Sequence, residues 1–138
     1  MPHVLIVEDD LSIAFLLEEQ LEADGYQVTG VARSLKEAVA SAEEHDPDFA
    51  VIDLHLAGGD LGTDVARSLR EITSVGIIFS TGNNDQDLTA FGGDALMSKP
   101  YRMSDVGRGF KIMGEMAQLG HTELSYPRNF RLIAPALS

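Results

Sequence analysis

Five short apolar runs alternate with segments of helical periodicity along this chain, and that alternation restricts its fold more than any other feature. The runs lie at residues 3–7, 26–31, 47–54, 75–80 and 94–98. Between them, apolar side chains recur three or four positions apart, as they do on one face of a helix. Because alternating strands and helices build a parallel sheet with helices on both faces, we predict an α/β fold with five parallel strands.

Capping residues indicate where several helices begin and end. Asp10 is the predicted N-cap of the first helix, and Gly25 is its predicted stop. Ser34 and Glu37 form the pattern of a capping box before the second helix. The last helix is predicted to begin near Ser104.

Size and charge limit the classes of function. We expect 138 residues to form one domain with a single core. The formal net charge of −12 argues against nucleic acid as a partner, because phosphates would be repelled, and favours a cation or a basic protein surface. The sequence has no run of the ~18 apolar residues that a membrane span needs. It also has no cysteine, so we expect a cytoplasmic protein without a membrane partner.

Polar residues stand where the predicted strands end. Glu8 and Asp9 follow the first run, Asp53 lies at the end of the third, Thr81 follows the fourth and Lys99 follows the fifth. The carboxyl ends of parallel strands meet at one edge of a sheet, which is where open α/β folds bind their ligands. Carboxylates that are crowded together resist ionisation unless a positive charge lies among them. The pattern therefore predicts a cation site at this edge.

Four motifs carry a family resemblance. The stretches VLIVEDD, FAVIDL, FSTG and MSKPY occur in this order at the predicted strand ends. Together they resemble the motifs of response-regulator receiver domains, the phosphoacceptor modules of two-component signalling. The resemblance implies a flavodoxin-like (βα)5 receiver fold, which agrees with the five parallel strands predicted from the alternation.

Phosphoryl transfer is the chemistry that this resemblance implies. Asp53 corresponds to the carboxylate nucleophile that takes the phosphoryl group. Thr81 and Lys99 correspond to the hydroxyl and ammonium groups that contact the transferred group. Pro100 resembles a proline of the family that often follows a cis peptide bond, which aims the lysine inward.

A divalent metal ion is also implied. Mg²⁺ takes oxygen ligands, and the resemblance assigns these to the carboxylates of Glu8, Asp9 and Asp53 and to the backbone carbonyl of His55. Asp9 is expected to be a direct ligand, whereas Glu8 reaches the ion directly or through water.

These residues predict a single-domain response regulator. It would accept a phosphoryl group from a histidine kinase or a phosphotransfer protein and signal by contact with a downstream protein, without being an enzyme. A second copy of the chain is a further candidate partner. The alternative is a Mg²⁺-dependent phosphohydrolase that works through an aspartyl-phosphate. Such an enzyme needs an acid two residues after the nucleophile, where this chain has His55.

The chain departs from the common receiver pattern near its expected output face. Leu96 stands where many receivers carry an aromatic residue that reports phosphorylation, and FSTG resembles a stand-alone subgroup with a Phe-Ala-Thr-Gly signature that also lacks it. We therefore expect the signal to leave through residues 83–93, which would become ordered on phosphorylation and contain a short helix near 85–91. The last helix, which belongs to the expected output face, is predicted to have low stability because it contains three glycines: Gly107, Gly109 and Gly114.

The C-terminal segment differs in charge from the rest. We expect a receiver domain at 1–120, since the resemblance runs from about His3 to about Leu119, and a tail at 121–138 that is too short for an effector domain. The tail contains few acids and several apolar residues. It is predicted either to be disordered or to dock on an acidic surface of its own body or of a neighbour.

Overall fold

The computed structural model describes residues 1–82 and 93–133 and shows one sheet flanked by helices. The strands are β1 (His3–Val7), β2 (Gln27–Ala32), β3 (Phe49–Asp53), β4 (Gly76–Thr81), β5 (Ala95–Ser98) and β6 (Phe130–Leu132). The helices are α1 (Leu11–Ala23), α2 (Leu35–His45), α3 (Gly62–Ile72) and α4 (Met103–Leu119), with a short 3-10 turn at Ala57–Gly59. None of the helices in this part of the chain combines the length and apolar content that a membrane crossing needs.

The strand order in the sheet is β2-β1-β3-β4-β5-β6. The first five strands run parallel, as predicted, and their positions agree with the apolar runs to within about two residues. The chain leaves β1 in one direction to form β2 and returns on its other side to form β3. The strand order therefore reverses at β1 and β3, and this reversal opens a crevice at their carboxyl ends.

The predicted helix caps at Asp10 and Ser34 are confirmed. The Asp10 carboxylate accepts hydrogen bonds from the backbone N–H groups of Ser12 and Ile13, at 3.0 and 3.4 Å. The Ser34 hydroxyl accepts from the backbone N–H of Glu37 at 3.2 Å. Helix α4 begins one residue before the predicted Ser104. The helix predicted near 85–91 lies outside the described residues, as does nearly all of the predicted output segment at 83–93.

Two apolar clusters form the core, one on each face of the sheet. Alternate side chains of β1 enter opposite clusters because successive residues of a strand point to opposite faces. Leu5 and Val7 pack with α2 and α3, whereas Val4 and Ile6 pack with α1 and α4. Burial on both faces explains why β1, β3 and β4 read as continuous apolar runs, whereas β2 at the edge of the sheet is only partly buried.

Two of the three glycines in α4 are buried positions of close approach. A Cβ on Gly107 would lie 3.1 Å from the ring of Tyr26, whose hydroxyl donates to the Gly107 carbonyl at 2.7 Å. A Cβ on Gly109 would lie 2.8 Å from the Phe130 ring. At these two positions the absence of a side chain leaves room for an aromatic ring. The glycines therefore have a packing role, although they also lower the helix propensity. Gly114 meets nothing within 4 Å and remains the one that weakens the helix without a packing reason.

The sixth strand comes from the tail and was not predicted. Strand β6 pairs antiparallel with β5, so that Met97 lies opposite Phe130 and Ala95 lies opposite Leu132. Phe130 is 6% exposed and joins the cluster below α4. Arg108 of α4 donates hydrogen bonds to Ser125, at 2.8 Å to its carbonyl and 2.9 Å to its hydroxyl.

Docking of the tail on its own body is thus confirmed for residues 121–133. The surface that it covers is different from the one expected, because it is a strand edge and an apolar helix face rather than an acidic patch. A strand edge presents unpaired N–H and C=O groups, and pairing with β6 satisfies those of β5. The absence of an effector domain after residue 120 stays a prediction.

Candidate functional site

The predicted site residues meet at the carboxyl ends of β1, β3, β4 and β5. Glu8 and Asp9 follow β1, and Asp53 is the last residue of β3. One carboxylate oxygen from each of these three residues lies within 4.8 Å of the other two. Thr81 ends β4 and is buried, and Lys99 follows β5. The sheet therefore brings together the three acids, the hydroxyl and the ammonium group at one edge.

Asp53 lies at the centre of this group. Its side chain is 12% exposed, and its Oδ2 lies 3.7 Å from Lys99 Nζ. Its Oδ1 accepts a hydrogen bond from the backbone N–H of His55 at 3.2 Å. The carboxylate is thus held from two sides but remains open to solvent over part of its surface. A group in this position can attack an incoming electrophile.

The chain around Asp53 is held closely by the start of α3. Gly62 donates its backbone N–H to the Leu54 carbonyl at 2.9 Å. A Cβ on Gly62 would collide with the Asp53 carbonyl oxygen and lie 2.8 Å from Leu54 Cα. Only a residue without a side chain allows α3 to begin so close to the end of β3. Gly62 therefore helps to fix the backbone that carries Asp53.

Glu8 is the most deeply buried acid of the site, with 5% of its surface exposed. Burial raises its pKa to about 7, whereas a hydrogen bond from the backbone N–H of Asp10 at 3.1 Å opposes the shift. The charge of Asp53 raises this pKa further, and the charge of Lys99 lowers it. Near neutral pH, Glu8 is thus divided between its protonated and ionised forms. A metal ion that binds here would displace a proton.

The donor set fits a hard divalent cation such as Mg²⁺. Glu8, Asp9 and Asp53 offer carboxylate oxygens, which Mg²⁺ prefers to nitrogen or sulfur ligands. Oxygens that share an octahedral ion at ~2.1 Å lie roughly 3 to 4 Å apart, which is compatible with a cluster that spans 4.8 Å. His55 contacts Asp53 through its N–H, and its side chain is exposed. A role for its carbonyl as a ligand stays a prediction.

The segment after β5 carries the expected proline. The peptide bond between Lys99 and Pro100 is cis, as the resemblance implied. The backbone N–H of Lys99 donates to the Thr81 carbonyl at 2.8 Å, which ties the two phosphoryl-contacting candidates together. Leu96 is buried in the core. It occupies the position at which many receivers carry an aromatic reporter.

Two polar contacts near the site were not predicted. The hydroxyls of Ser80 and Tyr101 lie 3.0 Å apart in a part-buried contact. Burial raises the pKa of Tyr101, so its hydroxyl stays protonated and can donate. Asn129 of the tail donates its side-chain amide to the Pro100 carbonyl at 2.9 Å. A serine inside the apolar run 75–80 was a usable signal, since a buried hydroxyl needs a partner, whereas no local pattern points to Asn129.

Comparison with known proteins gives one family. The sequence model described as "Response regulator receiver domain" matches residues 4–108. The phyllosphere-induced regulator PhyR of Methylorubrum extorquens is 36% identical over 107 residues, which cover 75% of this chain and 40% of PhyR. The transcriptional regulatory protein PdtaR of Mycobacterium tuberculosis is 34% identical over 108 residues, which cover 75% of this chain and 52% of PdtaR. The chain thus spans about half the length of these relatives, or less.

A solved structure of a receiver domain gives the same result for the fold. The signal receiver domain of a modulated diguanylate cyclase from Desulfovibrio desulfuricans G20 is 31% identical and superimposes with a TM-score of 0.73. The superposition covers 88% of this chain and 99% of that one. The flavodoxin-like arrangement of a parallel sheet between helices is therefore confirmed, with β6 as an addition.

Proposed function

This chain belongs to the response regulator receiver domain family of two-component systems, and we propose that it accepts a phosphoryl group on Asp53. The donor would be a histidine kinase or a phosphotransfer protein. The observation that carries the proposal is the position of Asp53, whose carboxylate lies 3.7 Å from Lys99 Nζ and shares a cluster with two further acids. A carboxylate between a cation and a metal-binding group is suited to phosphoryl transfer.

In the proposed reaction, an Asp53 oxygen attacks phosphorus and forms a P–O bond, while the bond from phosphorus to the donor's nitrogen or oxygen breaks. Glu8 and Asp9 would hold Mg²⁺ together with Asp53, and the ion would neutralise charge on the phosphoryl oxygens. Lys99 and the Thr81 hydroxyl would contact the remaining oxygens. The Asp53 backbone does not have to move, because β3 and the start of α3 already fix it.

A phosphohydrolase is not favoured. An enzyme of that class needs a general acid two residues after the nucleophile, and His55 stands there with an exposed side chain. The homologues are signalling proteins, and the family is one of phosphoacceptor modules. We therefore propose that this receiver domain acts in the cytoplasm and transmits its state by contact with a downstream protein.

Labelling with a small phosphodonor tests the phosphoacceptor. In the presence of Mg²⁺, the native chain should gain one phosphoryl group by mass spectrometry, and Asp53→Asn should gain none. The substitution keeps the shape of the side chain and removes its nucleophilic charge. Asp64→Asn is a matched control, because Asp64 lies on the exposed surface of α3 and pairs with Arg67. Full labelling of Asp53→Asn, or loss of labelling in both variants, would overturn the assignment.

A further inference from the structure

One residue of the tail holds the chain on both sides of Lys99. The Asn129 carbonyl accepts a hydrogen bond from the Ser98 backbone N–H at 2.9 Å. The Asn129 side-chain amide donates to the Pro100 carbonyl, also at 2.9 Å. Lys99 lies between these two anchored residues, and its own N–H donates to Thr81. Asn129 thus contacts the backbone on both sides of Lys99, in addition to the contacts that β4 makes.

We propose that Asn129 is a positioning residue that aims Lys99 at Asp53. This inference rests on the proposed function, in which Lys99 contacts the phosphoryl group. The tail then has a role beyond covering a strand edge, because it completes the phosphoryl site from outside the region that the family motifs cover. The family match ends at residue 108, twenty-one positions before Asn129.

The contacts around Asn129 fix its own position. Its backbone lies in the left-handed region, with φ of +66°, which asparagine tolerates better than most residues. The next residue, Phe130, is buried beside Gly109, in the same apolar cluster as Ile78. The backbone N–H of Phe130 donates to the Pro127 carbonyl at 3.2 Å, which closes the turn. Apolar packing on one side of Asn129 and a closed turn on the other leave its amide little freedom.

Lys99 gains from such support because its side chain is flexible and 37% exposed. A long lysine side chain loses much conformational freedom when it is held in one geometry, so a partly exposed ion pair contributes little by itself. A fixed backbone reduces the number of orientations from which the ammonium group must reach Asp53. Misplacement of a reacting group by about 1 Å can slow a reaction by as much as ~100-fold.

The variant Asn129→Ala removes the amide donor. The loss of one hydrogen bond that acts only through position predicts phosphorylation of Asp53 by a small donor that is about three- to tenfold slower. The control is Arg108→Ala, which loses the hydrogen bonds to Ser125 elsewhere in the tail and leaves the Asn129 contacts in place. Its rate should stay within about twofold of the native rate.

A second variant distinguishes misplacement of Lys99 from loss of the folded structure. Asn129→Asp keeps the size of the side chain, the tolerance for positive φ and the backbone contact with Ser98, but it presents an acceptor to the Pro100 carbonyl. It should therefore be slowed at least as much as Asn129→Ala. Melting curves of both variants show whether each remains folded. If Asn129→Ala unfolds, the result for Asn129→Asp decides the question.

The decisive measurement is the dependence on Lys99. In a Lys99→Ala background, Asn129→Ala should cause no further slowing, because the group that it positions is gone. In unphosphorylated protein with ¹³C-labelled lysine, the Lys99 Cε resonance should shift in Asn129→Ala and stay in place in Arg108→Ala. This second readout does not need phosphorylation, so it tests the inference even if Asp53 is never labelled. A native labelling rate in Asn129→Ala, an equal slowing in the Lys99→Ala background or an unmoved Lys99 resonance would overturn it.

Discussion

Mg²⁺ binding should depend on pH through Glu8. The burial of this side chain raises its pKa to about 7 from an ordinary value of 4.5. Without metal, a raised carboxyl pKa contributes stability to the fold below pH 4.5, and that contribution is lost as the pH rises through about 7. The ionised form of Glu8 destabilises the metal-free fold, and it is the form that would bind Mg²⁺. Mg²⁺ and the proton therefore compete for the same carboxylate.

The size of this effect follows from the pKa. With a pKa near 7, about nine tenths of Glu8 is ionised at pH 8 and about one tenth at pH 6. The apparent dissociation constant for Mg²⁺ should therefore rise about tenfold between these pH values, which corresponds to about 1.4 kcal/mol. At pH 7 each bound ion should release about half a proton.

Isothermal titration with Mg²⁺ at pH 6, 7 and 8 measures both quantities, and buffers with different ionisation enthalpies give the number of protons released. Glu8→Gln should bind Mg²⁺ more weakly and lose the pH dependence, because the amide does not titrate in this range. The control is Glu19→Gln, on the exposed face of α1, which removes one acidic group as Glu8→Gln does. This control should keep the pH dependence of Mg²⁺ binding. Equal affinity at pH 6 and pH 8 in the native protein, or pH dependence that survives in Glu8→Gln, would refute this reasoning.

Four further substitutions test the metal site and the packing of α4. Millimolar Mg²⁺ should raise the melting temperature of the native chain and raise that of Asp9→Ala much less; equal shifts would place the ion elsewhere. Gly109→Ala should lower the free energy of unfolding by about 1–3 kcal/mol in urea, because the new methyl meets an aromatic ring, whereas Gly114→Ala should raise it by about 0.5–1 kcal/mol; changes of the same sign would contradict the packing described here. Tyr26→Phe should cost about 1 kcal/mol through its lost hydrogen bond to α4, and a neutral effect would show that water replaces it.

The sequence was sufficient to predict the five parallel strands and the site residues that stand at their ends. The periods of the apolar residues are local properties, so the five parallel strands and the caps at Asp10 and Ser34 could be predicted without knowledge of distant contacts. The site followed from one general rule, which is that parallel strands end at the same edge. Glu8, Asp53 and Lys99 stand at strand ends, and the structure places them together. The chemical roles proposed for them come from the motifs, whose order resembles that of one family.

Tertiary structure alone decided the features that depend on pairs of distant residues. Strand β6 has only three residues and a weak local signal, and it exists because the open edge of β5 offers it hydrogen bonds. From the sequence, Gly109 only lowers the helix propensity of α4. The structure shows that it makes room for Phe130, twenty-one residues later. Asn129 has no motif at all, yet it reaches the residues on both sides of Lys99. Local periodicity records which face of an element is buried, but the partner that covers that face is set by the free energy of the whole chain, and the sequence pattern therefore could not identify it.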